Sequence, residues 1–146
     1  MVSRFKPQMH APQPVASQPM PSPHDSAATG EAGEDRALRY LQARGLSAVA
    51  RNYRCKTGEI DLVMRDAAGT LVFVEVRARV ARSTQRFGGA AASVTPAKQR
   101  RLIAAAEDFL AHHAGRPGEV PACRFDVIAI DGARIEWMRD AFGAEA

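Results

Sequence analysis

Only two of the 146 residues are cysteine, Cys55 and Cys123, and neither sits in a CxxC pair or near a histidine in sequence. That argues against a disulfide framework or a cysteine-based zinc site and suits a reducing compartment. No apolar run approaches the length of a membrane span, and the start of the chain has no continuous hydrophobic segment of signal-peptide length. The expectation is a soluble, cytoplasmic protein without a membrane partner. No internal repeat is evident. Acids are missing from one particular place. Between Val76 and Ala106 there is neither Asp nor Glu, while Arg77, Arg79, Arg82, Arg86, Lys98, Arg100 and Arg101 all fall there. With a formal net charge of +4, that distribution is compatible with a nucleic-acid partner, the basic run forming a cationic wall for phosphates. A solvated arginine-rich surface is the plainer alternative.

The length suits one domain with a tail. Residues 1–29 are rich in proline, glutamine, serine and alanine, a composition that cannot bury a core, and they read as a disordered tail. The domain is placed at 30–146. An amphipathic helix is expected from Glu31 to Arg44, with Ala37, Leu38 and Leu41 on its stripe and Gly45 just past its end. AVARNYRC reads as a strand, and two more strands follow. A second helix opens at Thr95 and Pro96, a hydroxyl cap followed by proline in the first turn. CRFDVIAID and RIEWM supply the last strands. Helix, three strands, helix, two strands predicts an α/β sandwich around a mixed sheet.

The second and third strands form the sharpest local pattern. GEIDLVMRD turns at AAG and returns as TLVFVEVRAR, and a three-residue loop closed by glycine fixes the register. Met64 then pairs with Val72, Leu62 with Val74 and Ile60 with Val76, on one apolar face. The other face carries Val63 with Phe73, Asp61 with Glu75, and Glu59 with Arg77. Facing carboxylates repel, so something should offset their charge. A hard divalent cation, Mg²⁺ or Mn²⁺, is one answer. Salt bridges to Arg65 and Arg77 are the other.

If Asp61 and Glu75 hold a metal, the Val76 backbone carbonyl is placed to complete the ligands, and Glu34, at the rim of the first helix's stripe, to bind metal or orient water. As a plain alternative, Glu34 is a favourable acid in a helix's first turn. Arg77 stays protonated and cannot act as a base, but it can stabilise developing charge. Lys98 is the nearest amine, and Gln99 can hydrogen-bond water or phosphate; both emerge at the rim of the second helix's stripe. Arg79, Arg82, Arg86, Arg100 and Arg101 are candidate nucleic-acid contacts. His112 and His113 read as helix-terminal cations, Asp126 as an acid paired with a nearby arginine, and Trp137 and Phe142 as packing for the end of the chain.

Taken together, GEDRALRYLQARGL, RNYRCKTGEIDLV, LVFVEVRAR, SVTPAKQRRL, CRFDVIAI and the closing DAF resemble the YraN family of bacterial proteins, from Gly33 to Phe142. The resemblance implies a restriction-endonuclease-like fold related to archaeal Holliday junction resolvases and PD-(D/E)XK nucleases. It implies that Asp61 is the first acid of that motif, Glu75 the second and Glu34 the acid of the first helix. Arg77 stands where the motif usually has lysine. Three functions fit these residues: a metal-dependent nuclease acting on DNA, with branched or damaged intermediates among its candidate substrates; a non-cleaving nucleic-acid-binding protein on a nuclease fold; and a structural adaptor with salt-bridged carboxylates. A homodimer would suit a branched substrate.

Overall fold

The computed structural model describes residues 26–79, 94–113 and 118–143. The expected tail (apart from its last four residues, which are helical) and the arginines at 82 and 86 lie outside these residues, as does the side chain of Arg79. The elements are α1 (Ser26–Ala43), β1 (Ser47–Cys55), β2 (Gly58–Arg65), β3 (Leu71–Arg79), α2 (Pro96–His113), β4 (Cys123–Asp131) and β5 (Arg134–Phe142). The strands form one sheet in the order β1-β2-β3-β4-β5, antiparallel throughout except for the parallel pair β3–β4 that brackets α2. This is the mixed α/β architecture and the element order expected from the sequence. No helix among the described residues is long and apolar enough to cross a membrane.

One helix covers each face. Ala37 and Leu41 of α1 pack on Leu62, Met64, Val72, Val74, Ile128 and Ile130. On the other face, Leu102, Ala105, Ala106 and Phe109 of α2 pack on Ile60, Val63, Phe73, Phe125 and Val127. Helix α1 begins five residues before the expected Glu31, through Ala27 and Ala28, which favour helix. The glycines at 30 and 33 sit inside it. At Gly33 a Cβ would lie 3.1 Å from the Ala78 Cβ, so the missing side chain lets α1 settle onto β3. Strand β5 runs to Phe142, four residues past RIEWM, by way of a bulge opposite Asp126 at which Asp140 adopts φ 51°. The start of α2 is the expected cap: Thr95 Oγ1 accepts from the Lys98 amide at 3.2 Å.

The contact that seats α2 involves Gly58, the first residue of β2. A Cβ there would stand 2.5 Å from the Arg101 carbonyl oxygen. Neither backbone can yield without separating the helix from the sheet. Gly58→Ala is therefore expected to cost about 2–3 kcal/mol in urea unfolding. A cost below about 0.5 kcal/mol would show that the approach is not so close.

Candidate active site at the β2–β3 fork

The hairpin register is as expected from Arg65↔Leu71 through Met64↔Val72 and Val63↔Phe73 to Leu62↔Val74, where the described ladder ends. Asp61 is the next residue of β2. Its Oδ2 accepts from the Val76 amide of β3 at 2.8 Å, a side chain standing where a strand partner's carbonyl would otherwise be. The ladder is not regular here, and this corrects the expected face pattern. Leu62 and Met64 pack beneath α1, but Ile60 packs beneath α2. The neighbouring strand turns over at the same level: Arg51 pairs with Asp35 of α1 at 2.7 Å, whereas Tyr53 packs on Phe109 of α2. Between them, Asn52 sits at φ 50°, a left-handed conformation that asparagine tolerates better than most residues. The resulting twist peels β2 away from β3 and frees Asp61 to reach across.

Asp61 and Glu75 lie close enough for the charge of Asp61 to raise Glu75. Two carboxylates so placed favour a state in which one of them keeps its proton. Burial is the main cause that raises both, and the neighbouring Asp61 charge adds to it at Glu75, which reaches about 7 from an ordinary 4.5. The Val76 amide opposes the rise at Asp61, and Lys98 opposes it at Glu75. Glu34 is raised too, by burial and then by Asp61, against a hydrogen bond from Asn52 and the charge of Arg51. Its Oε2 is buried without a hydrogen-bond partner, 3.9 Å from the Arg51 guanidinium.

The cation against Glu75 comes from α2. Lys98 Nζ lies 2.6 Å from Glu75 Oε1, and the Arg77 guanidinium lies 3.7 Å from the same oxygen. Arg65 instead stands at the far end of the hairpin, opposite Ser47 and Leu71. Glu59 pairs with Arg54 at 3.6 Å, not with Arg77, because β2 has left β3 by that level. The Gln99 amide donates to the Val94 carbonyl at 3.0 Å, which ties it to the start of α2. Arg100 and Arg101 are exposed, and Arg101 shares a cleft with Lys98. Val76 meets Asp61 through its N–H.

The oxygen donors are the hard type that Mg²⁺ and Mn²⁺ take. No three His, Cys, Asp or Glu among the described residues converge into a metal cluster, so the fit rests on Asp61 and Glu75, with the unsatisfied Glu34 Oε2 nearby. Mg²⁺ commonly uses one or two carboxylates and fills its octahedron with water and substrate phosphate, and this pair suits it. The sequence pattern missed Asn52, Gly58 and the Arg51 pairing; the Asn-Tyr step inside a strand was the available signal.

A raised carboxyl keeps its proton in the folded chain at pH values where the unfolded chain has lost it. The folded state then binds more protons, and stability falls as pH rises from about 4.5 through about 7. Metal-free protein should lose up to about 3 kcal/mol over that window through Glu75. Glu75→Gln should flatten the dependence in urea melts run with chelator at pH 5 to 8. Parallel wild-type and variant curves would count against a raised Glu75 carboxyl.

The Asp126 carboxylate belongs to a separate network. It is wholly buried and accepts from Arg124, Trp137 and the Asp140 amide. His112 Nδ1 lies 2.8 Å from the Asp108 carbonyl, and His113 stacks on Phe109, as suits residues closing a helix. Trp137 meets Tyr40 edge-on, and Phe142 stacks on Phe125.

The model of the Uncharacterised protein family UPF0102 matches residues 33–130, which include both acids, Lys98 and the whole β3–α2–β4 crossover. A UPF0102 protein of Ralstonia nicotianae is 86% identical over 138 residues, 94% of this chain and 100% of that protein. One of Ralstonia pickettii is 80% identical over the same coverage. A UPF0102 protein of Cupriavidus taiwanensis is 59% identical over 119 residues, 82% of this chain and 86% of that protein. The chain belongs to the UPF0102 family, the YraN family that its motifs resemble.

Proposed function

We propose that this protein is a metal-dependent nuclease that hydrolyses phosphodiester bonds, with DNA preferred over RNA and branched or damaged intermediates as its substrates. The observation that carries the reading is the adjoining acids Asp61 and Glu75 at a fork between strands, with the Val76 amide 2.8 Å from Asp61 and the Lys98 ammonium 2.6 Å from Glu75. A buried acid pair is costly unless the site uses it. Asp61 and Glu75 would hold Mg²⁺ or Mn²⁺, with Glu34 oriented toward it from α1. When bound, such an ion polarises a phosphoryl oxygen and acidifies water.

The chain's own groups do the rest. Lys98 supplies the amine that position 77 lacks, holding Glu75 Oε1 in place and offering a hydrogen bond to a phosphate or to water. Arg77 adds fixed positive charge beside the same oxygen, suited to the charge that develops on phosphate. The two free cysteines suit a reducing compartment, and we place the protein in the cytoplasm. A homodimer would present two such sites to a junction.

Cleavage of labelled four-way junction, duplex and single-stranded DNA, and of RNA, tests the reading. Cutting of at least one DNA with Mn²⁺ or Mg²⁺, abolished by chelator, is expected; no cutting of any would refute it. One observation favours a second reading, nucleic-acid binding without cleavage. Lys98 and Arg77 already offset the Glu75 charge. On that reading Asp61→Asn leaves salt-sensitive DNA binding intact and wild type never cuts.

A further inference from the structure

Beside the acid pair, the turn joining β1 to β2 and the first turns of α2 enclose an open cleft of about 490 Å³. Its walls carry Arg54 from the end of β1, Lys56 from the turn, and Lys98 and Arg101 from the helix, against the single carboxylate of Glu59. Lys98 and Arg101 are three residues apart and so lie on one face of α2. Gly58 contributes bare backbone where the two elements touch. Within the cleft, among the described residues, Arg54 pairs with Glu59 at 3.6 Å, and both side chains are largely exposed, at 76% and 67%. An exposed pair of that kind is worth little, and a phosphate can displace it. Lys98 belongs both to the cleft and to the acid pair, because its ammonium reaches Glu75.

We propose that this cleft is a second anion subsite, which seats the phosphodiester backbone of the nucleic-acid strand flanking the position held at Asp61 and Glu75. The inference rests on the nucleic-acid substrate proposed above and adds where the strand leaves the site. Its volume falls within the usual range for ligand pockets, about 300–1,000 Å³. Four cations converging from two elements, with a small apolar floor at Leu102, match a backbone followed through its phosphates. Recognition there would be independent of sequence and sensitive to salt. Arg54 and Lys56 come from a stretch of chain separate from the basic run of residues 77–101, so the two surfaces meet only in the fold.

The test measures fluorescence anisotropy of labelled junction, duplex and single-stranded DNA in chelator, where no strand can be cut, over a series of salt concentrations. Arg54→Gln/Lys56→Gln should lower affinity at least tenfold at about 0.1 M salt and reduce the slope of log K against log salt by about 1.4–1.8. The control Arg39→Gln/Arg44→Gln removes the same charge from α1 and the residue just past its end and should leave the slope within error. Circular dichroism and Mn²⁺ titration of the cleft variant should match wild type, which excludes misfolding. An unchanged slope in the cleft variant, or an equal loss in the control, overturns the subsite while leaving the nuclease reading intact. The expected slope change in a protein that cuts nothing supports the subsite and rejects the nuclease. Absence of any binding by wild type overturns both.

Discussion

Asp61→Ala and Glu75→Ala are each expected to lower DNA cleavage by about 10³-fold or more, a loss typical of removing a group that stabilises charge only in the transition state. Asp61 and Glu75 come from different strands, and each is raised chiefly by burial, a cost that the Val76 amide at Asp61 and the Lys98 ammonium at Glu75 offset in part. Removing either acid should therefore cost far more in activity than in stability. In metal-free protein at pH 8, Glu75→Gln should even raise the unfolding midpoint, because it ends the repulsion within the pair. A loss of activity with a gain of stability is the signature of a functional site held against its own electrostatics. Activity retained within tenfold in both alanine variants would remove the acids from the chemistry.

Asp126→Ala should be the most destabilising single change, at about 3–5 kcal/mol in urea unfolding. The carboxylate is fully buried and takes Arg124 Nε at 3.1 and 3.2 Å, Trp137 Nε1 at 2.9 Å and the Asp140 amide at 2.9 Å. Arg124 in turn reaches Asp66 at 2.8 Å, and Asp66 accepts from the Ala68 and Thr70 amides of the β2–β3 turn. One buried acid thus ties the β5 bulge to the hairpin turn. Truncation strands an indole N–H and a backbone N–H and leaves Arg124 with half its partners. Asp126→Asn should recover only part of the loss, because its amide turns donors toward donors. Cleavage per folded molecule should be little changed by either substitution, which separates this network from the acid pair. A cost below about 1 kcal/mol for Asp126→Ala would mean that the network is dispensable.

The strands and helices were legible because their signals are local. Alternation, a glycine-closed turn and the Thr95–Pro96 cap each act within a few residues, and the hairpin register followed as far as Leu62↔Val74. Beyond that rung the sequence reading kept alternating while the chain did not. The crossover of Ile60 to the α2 side depends on Asn52 in the neighbouring strand and on α1 drawing Arg51 toward Asp35. No pattern within GEIDL carries that information. Lys98 was visible as an amine at the rim of a helix stripe. Its approach to Glu75 depends on how closely α2 lies on the sheet, which the Gly58 contact with the Arg101 carbonyl sets. Arg54 and Lys56 were not legible for a related reason: they lie outside the acid-free run of residues 77–101, and the end of β1 and its turn join that surface only after folding.

Calorimetric titration of Mn²⁺ into wild type and Asp61→Ala at pH 6 and 8 bears most directly on the central claim, that the two facing acids form one divalent-cation site. Wild type should bind one ion per chain and, because Glu75 must give up its proton, release about one proton per ion at pH 6 and far less at pH 8. Asp61→Ala should show no saturable heat. Equal binding by both proteins, or none by wild type, would contradict the account.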